Sequence, residues 1–192
     1  MAAPMIAEPL TRPMCSPIGD GAAAVVLVSE KKARELGIRK PVKVITSVLM
    51  SGWDHGIEEE GTAEACASAA YEEAGIGPAD LSVVELHDAS APAEVGATES
   101  LGLCAKGEGG ALVESGATRL GGRIPVNTSG GLLRKGHPVG ATGIAQIVEL
   151  TEQIQGRSGE RQVEGATVGL AHNGGGNIAT DAAAMCVTIL KG

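Results

Sequence analysis

Short apolar runs that suit buried β-strands alternate along this chain with segments that suit α-helices. We predict strands at 22–28, 42–49, 83–88, 167–172 and 182–190, and helices at 30–36, 62–74, 91–101 and 140–155. Strands and helices in alternation build a sheet covered by layers of helices. The sequence therefore predicts a layered α/β fold. The last two strands, separated by a glycine-rich stretch at 173–177, predict a tight antiparallel hairpin.

The residues available for the core determine how closely these layers pack. Aromatic residues make up 1% of the chain and phenylalanine is absent, whereas glycine occurs 29 times. Small aliphatic residues and glycine must then fill the core, so we expect thin layers with helices close to the sheet. Helical spacing predicts one apolar face for the helix at 140–155. That face consists of Ile144, Ile147, Val148 and Ile154.

Charge and cysteine usage argue against several classes of function. The formal net charge is −8 and there is no basic tract, which argues against a nucleic-acid partner. No stretch approaches the roughly 18 apolar residues that a membrane span needs. The four cysteines are scattered without a C-x-x-C pair, so the sequence predicts neither a metal site nor a disulfide, and we expect a cytoplasmic protein.

One stretch joins a glycine-lined loop, a histidine and the start of an apolar helix. It reads Asn127-Thr-Ser-Gly-Gly-Leu-Leu-Arg-Lys-Gly-His137-Pro-Val-Gly-Ala-Thr-Gly143. Glycines allow close approach of the backbone to a ligand, and the first turn of a helix presents unpaired N–H groups. A histidine held there suits acid–base chemistry near neutral pH. The alternative is a His-Pro turn whose imidazole is satisfied by structural hydrogen bonds.

Two further polar clusters stand where predicted strands end. They are His87-Asp88 and His172-Asn173. Ligands of layered α/β proteins tend to bind beyond strand ends, although a histidine at such a place is more often structural. The glycines that begin at Gly174 could donate N–H groups to an oxyanion, or could simply form the turn of the hairpin. His55 lies in a predicted loop and is assigned no role.

These segments together resemble the thiolase superfamily. The similarity is to the sterol-carrier-protein type of thiolase and its lipid-transfer-protein relatives, and it runs along practically the whole chain. The segments that carry it are 127–143 with its Gly-His-Pro histidine, Val84-Glu-Leu-His87-Asp88, Tyr71-Glu-Glu-Ala-Gly-Ile-Gly-Pro, Ala171-His172-Asn173-Gly174, and Ser16-Pro-Ile-Gly-Asp-Gly-Ala-Ala-Ala-Val-Val-Leu27.

The resemblance implies a fold of two similar halves, each with a mixed five-stranded sheet. Residues 1–40 would be a remnant of the first half, with an extended proline-rich arm, a last strand and a helix, and 41–192 would be the complete second half. The nucleophilic cysteine of the family belongs to the part of the first half that this sequence does not contain. The helix at 140–155 would pack against its counterpart from that half. We therefore expect a partner, either a separately encoded first half or a second copy of this chain.

The resemblance also implies roles for individual residues. His137 would activate the nucleophile, His87 would lie near the first oxyanion hole, and Gly174 would supply the N–H of the second. Asn127, within the matched stretch, and Ser90, where the family has phenylalanine, are further predicted oxyanion or substrate-binding residues. His172 stands where other thiolases have a catalytic cysteine and is the third candidate for acid–base work.

One departure bears on the reaction. The sterol-carrier type has a cysteine as acid/base after His-Asp, where this chain has Ala89. We therefore expect a thiolase-like enzyme, either an acyltransferase or a retro-aldolase, that makes or breaks C–C bonds of acyl-CoA once its first half is present. Coenzyme A enters as the thioester substrate, and no other cofactor is expected. The alternative is a thiolase-derived binding or scaffold subunit without chemistry.

Overall fold

The computed structural model describes residues 3–56 and 58–192. Its strands are β1 (Met5–Ala7), β2 (Leu10–Thr11), β3 (Lys43–Ser51), β4 (Val83–Glu85), β5 (Val168–Gly175) and β6 (Ala184–Lys191). Its α-helices are α1 (Glu30–Glu35), α2 (Thr62–Ala74), α3 (Ala91–Ser100), α4 (Gly109–Glu114), α5 (Gly131–Lys135) and α6 (Val139–Gln155). Three short 3-10 turns lie at Arg12–Met14, Pro78–Asp80 and Gly159–Arg161.

The main sheet has the strand order β3-β6-β5-β4 and is mixed, as predicted. β3, β6 and β5 are antiparallel neighbours, whereas β4 pairs with β5 in parallel. The described residues form four strands in this sheet rather than the five expected, and Val126 makes only one parallel bridge beside Val84. Asn127 turns the chain there with φ 52°, and its side-chain Oδ1 accepts the Leu86 N–H at 2.8 Å. That hydrogen bond takes the place of the next one a fifth strand would make.

Helix ends follow the sequence closely. Ser29 caps α1 by accepting the N–H of Lys32 at 3.1 Å, and α2 spans the predicted residues. α2 ends at Gly75, which is left-handed with φ 66°, a conformation that glycine adopts without steric cost.

Two clusters of buried side chains hold the helices to the sheet. The outer cluster lies between α2, α3 and one face of the sheet and includes Cys66, Ala70 and Leu170. The inner cluster lies under α6 and includes Val83 and Leu150. Close layers are confirmed where α6 crosses β5, because a Cβ added at Gly169 would lie 3.0 Å from Leu150 Cδ2.

The predicted apolar face of α6 is wrong in part. Ile147 and Ile154 pack against the inner cluster, but Ile144 is 37% exposed. The side of α6 that is buried is mainly polar and consists of Thr142, Gln146, Glu149, Leu150 and Gln153. Glu149 and Gln153 bond to Thr128 in the loop before α6 and to Arg161 after it. Thr142 and Gln146 bond to the histidines at the end of the sheet. Helical spacing alone did not reveal that role.

The segments before β3 and after β5 also differ from prediction. Residues 22–28 pair with no strand among the described residues, and Val26 is 89% exposed. The prediction of a buried strand at 22–28 is therefore wrong for this chain by itself, because no strand in the described part of the chain lies beside that segment. The N-terminal arm carries the small β1–β2 hairpin. β5 continues to Gly175, so the connection to β6 is the longer loop 176–183 rather than a tight turn at 173–177.

Candidate functional site

Three of the four histidines meet at one end of the main sheet. His87 follows β4, His137 precedes α6 and His172 lies in β5. The rings of His87 and His137 have centroids 4.9 Å apart and stand nearly perpendicular, at 88°. The backbone N–H of His87 donates to His172 Nδ1 at 3.3 Å. The structure thus brings together all three histidines that the sequence singled out, whereas His55 bonds to Asp181 in a separate cluster.

The glycine-lined loop is held from below by the two carboxylates that flank His87. Glu85 accepts the Ser129 N–H at 3.0 Å and the Ser129 hydroxyl at 2.5 Å. Asp88 accepts the N–H groups of Leu132 at 2.7 Å and Leu133 at 3.2 Å, and so caps the first turn of α5. Both carboxyls are buried, and burial raises the pKa of each against these hydrogen bonds. One short segment therefore positions the loop and presents His87.

His137 is fixed through its backbone and its ring. Its N–H donates to the Pro17 carbonyl at 2.9 Å, so the N-terminal arm lies against the His-Pro turn. Its Nδ1 lies 2.8 Å from the Thr142 hydroxyl on the first turn of α6. With Nδ1 engaged there, Nε2 is the ring nitrogen left for a reacting group.

An amide pair connects the histidines to α6. Asn173 Nδ2 lies 3.2 Å from His87 Nδ1 and 3.4 Å from Gln146 Oε1. Gln146 Nε2 donates to the His172 carbonyl at 3.1 Å. Gln146 is only 1% exposed, so water does not compete for the His172 carbonyl bond that its amide makes.

The environment keeps two of the histidines neutral. Burial, and then repulsion from His137, lowers the pKa of His87 to about 4. Burial, and then repulsion from His87, lowers the pKa of His172 to about 4. Neutral imidazoles donate through one nitrogen and accept through the other, so at neutral pH this site contains directed donors without a positive charge on His87 or His172.

The remaining predicted site residues lie around this cluster. Asn127 uses Oδ1 on the Leu86 N–H, and its Nδ2 donates to Glu94 at 3.4 Å, so both ends of its amide are engaged. Ser90 precedes α3 and forms a backbone bridge with Cys15 of the arm. Gly174 lies within β5, paired with Met185. Whether these residues bind a ligand stays a prediction.

Sequence reasoning missed Glu85 and Gln146. A signal was present for the first, because a carboxylate inside the apolar run of β4 is out of place unless it is bonded. For Gln146 the signal was weaker, since a glutamine on an amphipathic helix reads as solvent-facing. Its role becomes visible only when α6 is laid over the end of β5.

Within the described residues, no cluster of three or more histidine, cysteine or acidic side chains is arranged to hold a metal ion. Over the same part of the chain, none of the helices combines the length and the apolar character needed to cross a membrane. All four cysteines are free thiols.

Comparison with known proteins places this geometry in a family. A family model described as thiolase C-terminal domain-like matches residues 55–189. The acetyl-CoA acetyltransferase of Methanothermobacter thermautotrophicus is 46% identical over 187 residues, which cover 95% of this chain and 49% of that protein. Sterol carrier protein 2 of Oryctolagus cuniculus is 42% identical over 173 residues, covering 85% of this chain and 32% of that protein.

A solved structure shows the same fold. The Ltp2-ChsH2(DUF35) aldolase matches with a TM-score of 0.78 at 25% identity, covering 97% of this chain and 49% of that chain. This chain thus spans between about a third and a half of the length of these proteins. The match over most of its length shows that the chain belongs to the thiolase superfamily and comprises a thiolase C-terminal domain-like fold.

Proposed function

We propose that this chain supplies the histidine half of a catalytic site that makes or breaks a C–C bond of an acyl-CoA thioester. The observation that carries the proposal is the convergence of His87 and His137, whose ring centroids lie 4.9 Å apart at the end of the sheet. Such a pair can take a proton with one ring and donate to a developing oxyanion with the other.

The uncovered inner face of the sheet supports a partner for this site. α6 packs over β5 and β4, whereas β3 keeps Ile45 and Leu49 exposed on that side. Val26 and Leu27 of segment 22–28 are also exposed, and a groove of about 730 Å³ separates that segment from α6. We infer that the first half of a thiolase fold covers these surfaces, because segment 22–28 would then gain its neighbouring strand.

Retro-aldol cleavage suits the residues better than thiolysis. Ala89 provides no thiol where a second acid/base cysteine would be needed, and one of the structural relatives is an aldolase. His137 Nε2 would take the proton of a β-hydroxyl, whose O–H electron pair then forms the new carbonyl. The Cα–Cβ bond breaks and its electron pair enters the thioester enolate. The ring Nε2–H of His87 donates to the enolate oxygen, and the proton on His137 returns to the α-carbon.

The test combines this chain with the first half that copurifies from its native host and supplies two substrates separately. β-Hydroxyacyl-CoA tests aldol cleavage, and 3-ketoacyl-CoA with free CoA tests thiolysis. His137→Asn should lower turnover by about 10²–10⁴-fold, whereas His55→Asn, a matched change of the histidine outside the cluster, should leave it within about threefold. Undiminished turnover in His137→Asn would contradict the proposal.

The alternative is a binding subunit that has lost chemistry, which Ala89 and the exposed apolar surface also favour. The reconstitution experiment described above distinguishes the enzyme from the binding subunit. A tight complex with the first half that turns over neither substrate would support the binding subunit. A stable dimer of this chain with no first half would contradict the proposed partner.

A further inference from the structure

We propose that Gln146 and Asn173 are positioning residues that lock neutral His87 in the tautomer with its proton on Nε2. The inference rests on the proposed function for its purpose, because a proton on Nε2 is the one that an oxyanion beside His137 would receive. The lock itself follows from hydrogen-bond geometry alone.

The His172 carbonyl can only accept hydrogen bonds. A backbone carbonyl has no proton to donate, so the His172 carbonyl fixes the orientation of the Gln146 amide, whose Nε2 donates to it at 3.1 Å. Gln146 Oε1 must then be the atom that faces Asn173, at 3.4 Å. An amide oxygen also only accepts.

Gln146 in turn determines the orientation of the Asn173 amide. The atom facing Gln146 Oε1 must be a donor, and it is therefore the NH₂ group of Asn173 rather than its oxygen. The same NH₂ group lies 3.2 Å from His87 Nδ1 and has a second hydrogen for it. His87 Nδ1 must accept this hydrogen, so the proton of the neutral ring belongs to Nε2.

The lock works only while His87 stays neutral, and the groups around it favour that state. His137 and His172 face it from the turn before α6 and from β5, and both oppose a positive charge when they are protonated. The nearest carboxylate in sequence, Asp88, is occupied by the N–H groups of Leu132 and Leu133. Rotation of the buried Gln146 amide would place its oxygen against the His172 carbonyl, and rotation of the half-buried Asn173 amide would place its oxygen against Gln146 Oε1, so either rotation breaks two hydrogen bonds.

Two-bond ¹H–¹⁵N correlation spectra of the ¹⁵N-histidine-labelled chain, with any copurifying first half, report the tautomer directly. We expect His87 to show the Nε2–H pattern near neutral pH. Asn173→Asp replaces the donor by a group that only accepts, so His87 should acquire a proton on Nδ1 and its pKa should rise by more than about one pH unit. Asn177→Asp adds the same charge at an exposed position of the next loop and should change neither.

A second variant keeps the test decisive if Asn173→Asp does not fold. Gln146→Met preserves volume but frees the Asn173 amide to rotate, and it should give a mixture of both His87 tautomers. An Nδ1–H pattern in the unmodified chain, or an unchanged pattern in both variants, would overturn the lock. Absence of turnover with an Nε2–H pattern would instead refute only the proposed function.

Discussion

Replacing His172 by asparagine should make the chain less sensitive to acid. The asparagine Oδ1 can occupy roughly the place of imidazole Nδ1, so the acceptor for the backbone N–H of His87 is kept. The titrating ring is lost. His172 is buried and its Nε2 has no hydrogen-bond partner, so the variant removes a group whose protonated form the fold opposes.

The magnitude follows from the pKa of His172, which burial lowers from 6.5 to about 4. Below its unfolded-state pKa, the unfolded chain binds a proton that the folded chain does not, so stability falls as pH decreases from 6.5 toward 4. Between about pH 7 and about pH 4.5 this histidine should cost the unmodified chain about 2 kcal/mol of unfolding free energy. His172→Asn should escape that loss.

Urea denaturation of both proteins at the two pH values, followed by far-UV circular dichroism, measures the difference. The free energy of unfolding of the unmodified chain, minus that of His172→Asn, should decrease by about 2 kcal/mol on acidification. His55→Asn provides a control of opposite sign, because hydrogen bonds to Gly56 and Asp181 raise the pKa of His55. A gap between the unmodified chain and His172→Asn that is equal at both pH values would refute the account of a buried neutral histidine.

Two further predictions concern the arm and the uncovered sheet face. Gly21→Ala should displace the turn at His137, because its Cβ would lie 2.8 Å from Pro138 Cγ, and should cost about 1–3 kcal/mol by denaturation; Gly19→Ala, whose Cβ meets its neighbours at 3.8 Å, should cost much less. Leu49→Lys should leave the stability of the chain by itself nearly unchanged, since Leu49 is 73% exposed, yet weaken binding of the first half at least tenfold by titration calorimetry. Leu120→Lys, a matched change of an exposed leucine in the loop between α4 and α5, should not weaken it, and equal binding by both lysine variants would argue against the inner face as the interface.

The sequence was sufficient for those parts of the fold that local chemistry determines. Ser29 and Gly75 mark helix ends because capping and left-handed backbone are properties of single residues. The failures share another cause. Segment 22–28 has the composition of a buried strand, but a strand needs a neighbour, and no local pattern shows whether this chain provides one. Helical spacing predicts that the apolar residues of α6 form its buried face. In the structure, the buried side of α6 is mainly polar and packs on polar groups.

The candidate site likewise has features that the sequence predicts and features that it does not. The chemistry of His87, His137 and His172 is visible in their spacing relative to glycines and strand ends. What assigns them different tasks is a set of contacts between residues far apart in sequence. Gln146 lies in α6 and Asn173 in β5, yet together they determine which nitrogen of His87 carries the proton. His137 has the Thr142 hydroxyl on Nδ1 instead, and because a hydroxyl can accept a hydrogen bond from Nδ1, Nε2 can act as the base. Two similar imidazoles 4.9 Å apart can thus act as donor and acceptor because different neighbours occupy their Nδ1 atoms.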